Sequence, residues 1–241
     1  MFDVYFKNVL NIFMKTSILT IFDKNQLKID SIFDSLDENL ENSVVQIFPK
    51  LFEDSRGWFS QISQGDHSGI KQMNRSCSIP GVMRGFHAQM SPYCQGKLVE
   101  ALDVDIYDII IDARSDSRSF GVLGAYHLDP LKQNKLWIPR GFLHGFVVFP
   151  DVEAKNACFN YFCDNIYDKK SEICINPTSV FKKLQTNIKN LDPIMLKILQ
   201  YVNDGIVKLS EKDQNGLDYE SWMENVKENN VLWYKTTSQN D

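Results

Sequence analysis

The sequence lacks most of the short signatures that announce an enzyme class. Its four histidines, His67, His87, His127 and His144, include no HxH pair. A metal-binding barrel needs two or three histidines and a carboxylate at close spacing, so no metal site is expected. There is no GxGxxG, GxxxxGK[ST] or GxSxG stretch, which leaves dinucleotide, P-loop and serine-hydrolase chemistry without an anchor. The five cysteines, Cys77, Cys94, Cys158, Cys163 and Cys174, contain no CxxC. Their odd number and scattered spacing argue against a disulfide framework and read as small buried hydrophobes in a reducing compartment.

Positive charge is also short. Lysine and arginine number 26 against 31 acidic residues, a net charge of −5. Nothing draws such a chain to nucleic acid, and an anionic ligand has to be held by a local basic pocket. The apolar opening "MFDVYFKNVLNIFMKTSILTIF" is interrupted by Asp3, Lys7 and Lys15. It carries no signal-peptide cleavage pattern, and no uninterrupted part of it approaches the length of a membrane-spanning helix. A cytoplasmic protein with no membrane partner is expected.

What is present is ordinary in bulk and organised along the chain. With 241 residues, 43% hydrophobic and 24% charged, the chain can bury a substantial core. Residues 1–43 read as an N-terminal extension, with Phe6, Val9, Leu10 and Phe13 at helical spacing and "DSLDENLENS" as an acidic connector. Between Val44 and about Ile175 the pattern turns to short β-branched and aromatic runs: "VVQIF", "GWFSQIS", "GKLVEALDVDIYDIIIDA", "GAYHL", "KLWIP", "FLHGFVVF" and "NACFNYFC". Pro, Gly, Asp and Ser clusters separate them, and no helical stretch is long enough for βαβ crossovers. A mainly β architecture, an antiparallel jelly-roll or barrel over 44–177, is therefore expected. Helices return in 178–241: Asp192-Pro193 opens "IMLKILQYV", Gly205 can close it, and "DYESWMENVKEN" reads as another.

The chemistry-bearing residues sit in unusual company. In "GVMRGFHAQMSPYCQGKLV", His87 lies between Arg84 and Lys97. Nearby cations disfavour an imidazolium, so His87 reads as a neutral base. Arg84 and His87 are three apart and should face opposite sides of a regular strand. Gly85 between them is a candidate bulge that would bring both inward. Arg56 in "EDSRGWF", Gln72 and Asn74 in "KQMNRS", His144 in "IPRGFLHGF", Tyr161 and Glu172 in "NYFCDNIYDKKSE", and Asp213 in "LSEKD" complete the set. Taken singly, each has a plainer reading as a rim histidine, a snorkelling cation, barrel packing or a loop cap.

Together the blocks "FEDSRGWF", "QMNRSCSIPGVMRGFHAQ", "PYCQGKLVE", "IIIDARSDSRSFG", "LWIPRGFLHGFVV", "YFCDNIYDKKSE" and "LSEKD" stand in a recognisable order. With them the chain resembles the dTDP-4-dehydrorhamnose 3,5-epimerase family of nucleotide-sugar epimerases. The resemblance implies a cupin-like jelly-roll barrel that acts as a homodimer on a nucleotide diphosphate sugar, without metal or cofactor. It implies His87 as catalytic base, Asp213 as the carboxylate that orients it, Tyr161 as acid on the opposite sugar face, and Lys97 beside the oxygen where charge develops. Arg56, Phe59, Gln61, Gln72, Asn74, Arg84, His144, Tyr167 and Glu172 match substrate-holding positions.

Three departures stand out. Gln61 replaces the family's glutamate, Ile166 replaces an aromatic residue before Tyr167, and a helical segment is inserted at about 181–202. A ketoisomerase of the same barrel type, a non-catalytic sugar-nucleotide-binding barrel and, more distantly, a metal-dependent cupin are the competing readings.

Overall fold

The structure is a computed structural model that describes residues 27–29, 44–60, 69–153, 156–184 and 193–235. The β-branched runs pair into two facing sheets. The six-stranded sheet has the spatial order β1 (Leu27–Ile29), β2 (Val45–Ile47), β10 (Lys135–Ile138), β7 (Lys97–Ala101), β12 (Ala157–Cys163) and β5 (Gln72–Ser78). The five-stranded sheet runs β13 (Glu172–Cys174), β6 (Met83–Gln89), β11 (Phe142–Val147), β8 (Ile106–Asp112) and β9 (Leu123–Leu128). Every strand pair in both sheets is antiparallel, as short runs joined by turns require.

Alternation along the strands divides the apolar residues between two cores. Val99, Ile106, Ile110, Leu136, Phe142, Phe146 and Phe159 fill the space between the sheets. Phe86, Ala88, Ile109, Ile111, Leu143 and Val147 point out of the five-stranded sheet and meet helices α1 (Pro177–Leu184), α2 (Pro193–Asn203) and α4 (Tyr219–Glu228). This explains why β8 reads "IYDIIID" with hardly any polar alternation: both of its faces are covered. Phe181, Met195, Ile198 and Leu199 of the inserted segment belong to that second core. The described part of the insertion is thus a structural layer of the body, and none of it lines the cavity described below.

Several local expectations change. The described part of "GWFSQIS" forms one arm of a short hairpin, β3 (Phe52–Asp54) with β4 (Gly57–Phe59), turned at Gly57 with φ +128°. It leaves Phe52, Trp58 and Phe59 at 52%, 46% and 66% exposure. Strand β5 was not expected, because "QMNRSCS" is polar on one face, and helix α1 begins at Pro177, four residues before the expected start of the inserted helical segment at about Phe181. The helix expected over Phe6–Phe13 and the cap at Asp192 lie outside the described residues. The cysteines are not uniformly buried either: Cys94 and Cys163 are, Cys158 and Cys174 are half-buried, and Cys77 is exposed. Among the described residues no helix is long and apolar enough to cross a membrane.

The outer face of the six-stranded sheet carries a polar ladder on directly opposed residues. Arg75 Nε donates to Asn160 Oδ1 at 2.8 Å, Asn160 Nδ2 donates to Glu100 Oε1 at 2.9 Å, and Glu100 pairs with Lys135. Four strands are tied in one row.

Candidate active site

The site begins with a miscount between two strands. On β11 the step from His144 to Phe146 is two residues; on β6 the partners His87 and Arg84 are three apart. The surplus residue is a β-bulge at Gly85, whose φ of +126° suits glycine. A Cβ on Gly85 would sit 2.5 Å from the Gly145 Cα, and one on Gly145 would sit 2.7 Å from the Arg84 carbonyl oxygen. Both positions need glycine for the backbones to approach. The bulge reverses the parity expected for residues three apart, so Arg84 and His87 face the same cavity.

That cavity is about 400 Å³ and lies between the sheets at one end. Strand β5 contributes Gln72 and Asn74, β7 Lys97, β11 His144, β12 Tyr161 and β13 Glu172, with Tyr167 from the preceding loop. Asp213 stands behind His87 instead of lining the cavity. It is 3% exposed, and its Oδ1 is 2.7 Å from His87 Nε2. The short helix α3 (Glu211–Gln214) holds it there, with Ser210 as N-cap accepting the Asp213 backbone N–H at 3.1 Å. Bridges Val82–Lys208 and Ile175–Leu217 fasten this segment to the sheet. Burial pushes the Asp213 carboxyl up, but the His87 hydrogen bond and charge, with Ser210 and Cys174, outweigh it and hold the group below the ordinary value.

A second histidine–carboxylate pair lies beside the first on the same wall, because His144 of β11 is directly opposed to His87 of β6. His144 Nε2 is 2.8 Å from Asp108 Oδ2, and Asp108 is completely buried. Burial raises the Asp108 carboxyl against the opposing pull of His144 and Lys97. Sequence reading overlooked Asp108, although an acid inside the apolar run "IYDIIID" is itself a signal that a buried partner exists. Lys97 is pulled down by burial, against Cys163, Asp108, Glu172 and Asp164.

At the mouth, Glu172 accepts from Tyr167 Oη at 2.8 Å and from Lys212 Nζ at 2.5 Å. Burial pushes the Glu172 carboxyl up, yet these two bonds and His87 bring it below its ordinary value. Burial and Glu172 push the Tyr167 phenol up to about 12. Gln72 Oε1 accepts the Tyr167 backbone N–H at 2.7 Å, which fixes this loop to β5. Gln89, Gln95 and Cys163 also line the cavity and were not foreseen; nothing in their sequence context set them apart.

Three expected residues are not in this group. Arg56 and Phe59 sit on the exposed β3–β4 hairpin, where the Arg56 guanidinium folds back on Asp54 at 2.6 Å with 88% of its side chain in solvent. Gln61 lies outside the described residues. A further convergence escaped the HxH criterion. His87, Cys174 and Asp213 come from separate segments, yet their donor atoms lie within 4.8 Å of one another, close enough to share a metal ion.

The geometry supplies an imidazole backed by a buried carboxylate, with a phenol and an ammonium from adjacent strands of the other sheet, all on one cavity. That set suits proton removal from carbon next to a carbonyl. Comparison with known proteins agrees. The family profile of dTDP-4-dehydrorhamnose 3,5-epimerase matches residues 39–221. The chain is 38% identical over 132 residues to dTDP-4-dehydrorhamnose 3,5-epimerase of Shigella flexneri, covering 52% of this chain and 71% of that one. It is 36% identical over 143 residues to the Escherichia coli K12 protein of that name, covering 55% and 75%. Among solved structures, dTDP-4-dehydrorhamnose 3,5-epimerase from Elizabethkingia anophelis superposes with a TM-score of 0.61 at 29% identity, covering 81% of this chain and 98% of that one. A Legionella pneumophila 3,5-epimerase bound to dTDP-4-keto-L-rhamnose gives 0.55 at 28%, covering 79% and 91%. The chain belongs to the dTDP-4-dehydrorhamnose 3,5-epimerase family, and it is an epimerase with that family's cupin-like fold.

Proposed function

We propose that this epimerase inverts C3, C5 or both of a nucleoside-diphosphate-linked 4-keto-6-deoxy sugar, with no metal or cofactor. The observation that carries this reading is His87 on the cavity wall with Asp213 bonded behind it at 2.7 Å, while Tyr161 and Lys97 share the same cavity. With the Nε2 proton donated to Asp213, the other ring nitrogen holds a free lone pair. It takes the proton from the carbon beside the C4 ketone, and negative charge moves to the C4 oxygen. The Lys97 ammonium stabilises that enolate, and Asp213 stabilises the imidazolium as it forms. Tyr161 returns a proton from the opposite face, which inverts the centre. Arg84, with His144 held by Asp108, supplies donors to the diphosphate.

The homodimer gives the β3–β4 hairpin a role. Its three exposed aromatics need cover, and Arg56 reaches no part of the cavity in its own chain. In this reading the hairpin lies against a second copy and offers Arg56 to that copy's substrate. Mixing an Arg56→Ala chain with a His87→Ala chain then restores activity neither has alone. Ile166, 52% exposed beside Tyr167, offers aliphatic contact where the family pattern stacks an aromatic on the nucleotide base. The reading also places the protein in the cytoplasm, where sugar nucleotides are made.

The test is NMR of the product after reaction of the 4-keto sugar nucleotide in heavy water. Deuterium at C3 or C5 with the ketone still at C4 is expected, and His87→Ala abolishes it. A ketone found at C3 replaces this reading with ketoisomerisation. Absence of exchange leaves a binding barrel, and stoichiometric zinc or iron required for turnover overturns the metal-free mechanism.

A further inference from the structure

Two cysteines that the mechanism does not use meet on the far side of the cavity wall. Cys77 on β5 and Cys158 on β12 are directly opposed in the antiparallel register. Gln72 and Asn74 of β5 and Tyr161 and Cys163 of β12 face the cavity, so alternation sends Cys77 and Cys158 to the outer face. Their Sγ atoms are 3.0 Å apart. A disulfide needs a sulfur separation near 2.0 Å, and directly opposed antiparallel residues, with Cα atoms about 4.5–5.5 Å apart, fall inside the span a disulfide bridges. Closure therefore asks for about 1 Å of sulfur movement and no rearrangement of the strands.

We propose that Cys77 and Cys158 form a reversible cross-strand disulfide when the protein meets a small oxidised disulfide such as oxidised glutathione. This inference is independent of the catalytic reading. Cys77 is exposed and is the thiol a reagent meets first. Its hydrogen bond with Cys77 and the neighbouring Asp103 carboxylate push the Cys158 thiol up to about 12, which keeps it protonated until the first exchange has taken place.

The Cys77 thiolate attacks one sulfur of the external disulfide and expels the first small thiolate, giving a mixed disulfide on Cys77. Cys158 then loses its proton to solvent, attacks Cys77 Sγ and expels the second. Two protein thiols and one external disulfide become one protein disulfide and two small thiols, with two electrons passing to the reagent. The remaining cysteines are placed elsewhere. Cys94 donates to the Trp233 carbonyl, Cys163 lies in the cavity wall, and Cys174 sits beside Asp213.

The cross-link has a structural purpose. β5 is the edge strand of its sheet and carries Gln72 and Asn74 into the cavity. Among the described residues its one strand partner is β12. A bond two residue pairs beyond the Arg75–Asn160 rung, the next position on the same face, pins the end of that edge.

The full chain incubated with oxidised glutathione tests this by intact-mass and peptide mapping. A loss of about 2 Da, a linked Cys77–Cys158 peptide, reversal by dithiothreitol and melting raised by on the order of 5 °C are expected. Cys158→Ser leaves a stable glutathionyl adduct on Cys77 and shows no melting rise. A wild-type chain that retains the adduct without forming the link, a link between other cysteines, or full alkylation of both thiols after oxidation each overturns the proposal.

Discussion

Asp213→Asn isolates the charge behind His87 from its shape. The amide keeps the size of the side chain, and the backbone N–H still caps α3 through Ser210. In the proposed mechanism the imidazole starts as the neutral base and gains little from the carboxylate charge. As it takes the sugar proton it becomes a cation with its Nε2 2.7 Å from Asp213 Oδ1. With charge centres about 4 Å apart and an effective dielectric near 20, the attraction is about 4 kcal/mol, of which roughly half is felt at a half-transferred proton. Losing about 2–4 kcal/mol slows kcat by about 30-fold to 1,000-fold.

Because Asp213 does not line the cavity, KM changes by less than about 3-fold while kcat carries the loss. The assay is initial-rate incorporation of solvent deuterium at saturating sugar nucleotide, alongside thermal melting. The variant also reports on acid stability. A carboxyl held below its ordinary value adds stability above about pH 4 that disappears as pH falls through the folded value. The variant therefore melts with a shallower acid dependence below pH 4. A variant with wild-type melting whose kcat stays within about 3-fold of the parent, or whose loss lies in KM alone, refutes the orienting role.

Tyr161→Phe keeps the ring and removes the proton donor; deuterium exchange continues at one carbon while inversion there stops, as read by NMR. Asp108→Asn removes a buried charge yet keeps a hydrogen bond to His144, so at pH 7 it melts no lower than the parent, whereas KM for the sugar nucleotide rises by about 5-fold or more. Gly145→Ala places a Cβ 2.7 Å from the Arg84 carbonyl oxygen, a backbone atom that cannot swing aside; melting falls and turnover falls with it, by an overpacking cost of about 1–3 kcal/mol. Phe181→Ala empties a fully buried site under the five-stranded sheet, costing about 3–5 kcal/mol and lowering Tm by roughly 10 °C. Its kcat per folded molecule remains that of the parent, because the helix layer does not reach the cavity.

The strands rich in valine, isoleucine and aromatics were legible because each buries at least one face, and alternation or a continuous apolar run follows directly from that. β5 was harder. Its inward residues are the polar Gln72 and Asn74, which serve the cavity, so the pattern that marks a core strand is absent. The inserted segment was readable as a helix but not in its location, since the apolar stripe of α2 says that it packs and not against what. Of the site, the residues drawn from separate blocks could be gathered only through the order of those blocks. Asp108 was visible as an acid in an apolar run, yet its partner His144 is 36 positions away and only the register of β8 with β11 joins them. Cys77 and Cys158 are another such pair: 81 positions separate them, and linear spacing hides the contact.

The extra residue on β6 makes chain length there a functional variable. Matching it with one residue inserted between His144 and Phe146 on β11 would make the pairing regular and turn Arg84, three residues from His87, from the sugar side to the layer where Phe86, Ile109 and Phe181 pack. A guanidinium would then be thrust among hydrocarbon, and Met83 would take its place facing the ligand. Loops at the rim can lengthen or shorten without touching either outcome, whereas a single residue inserted opposite Gly85 would spoil recognition and solvent-free packing in the same stroke.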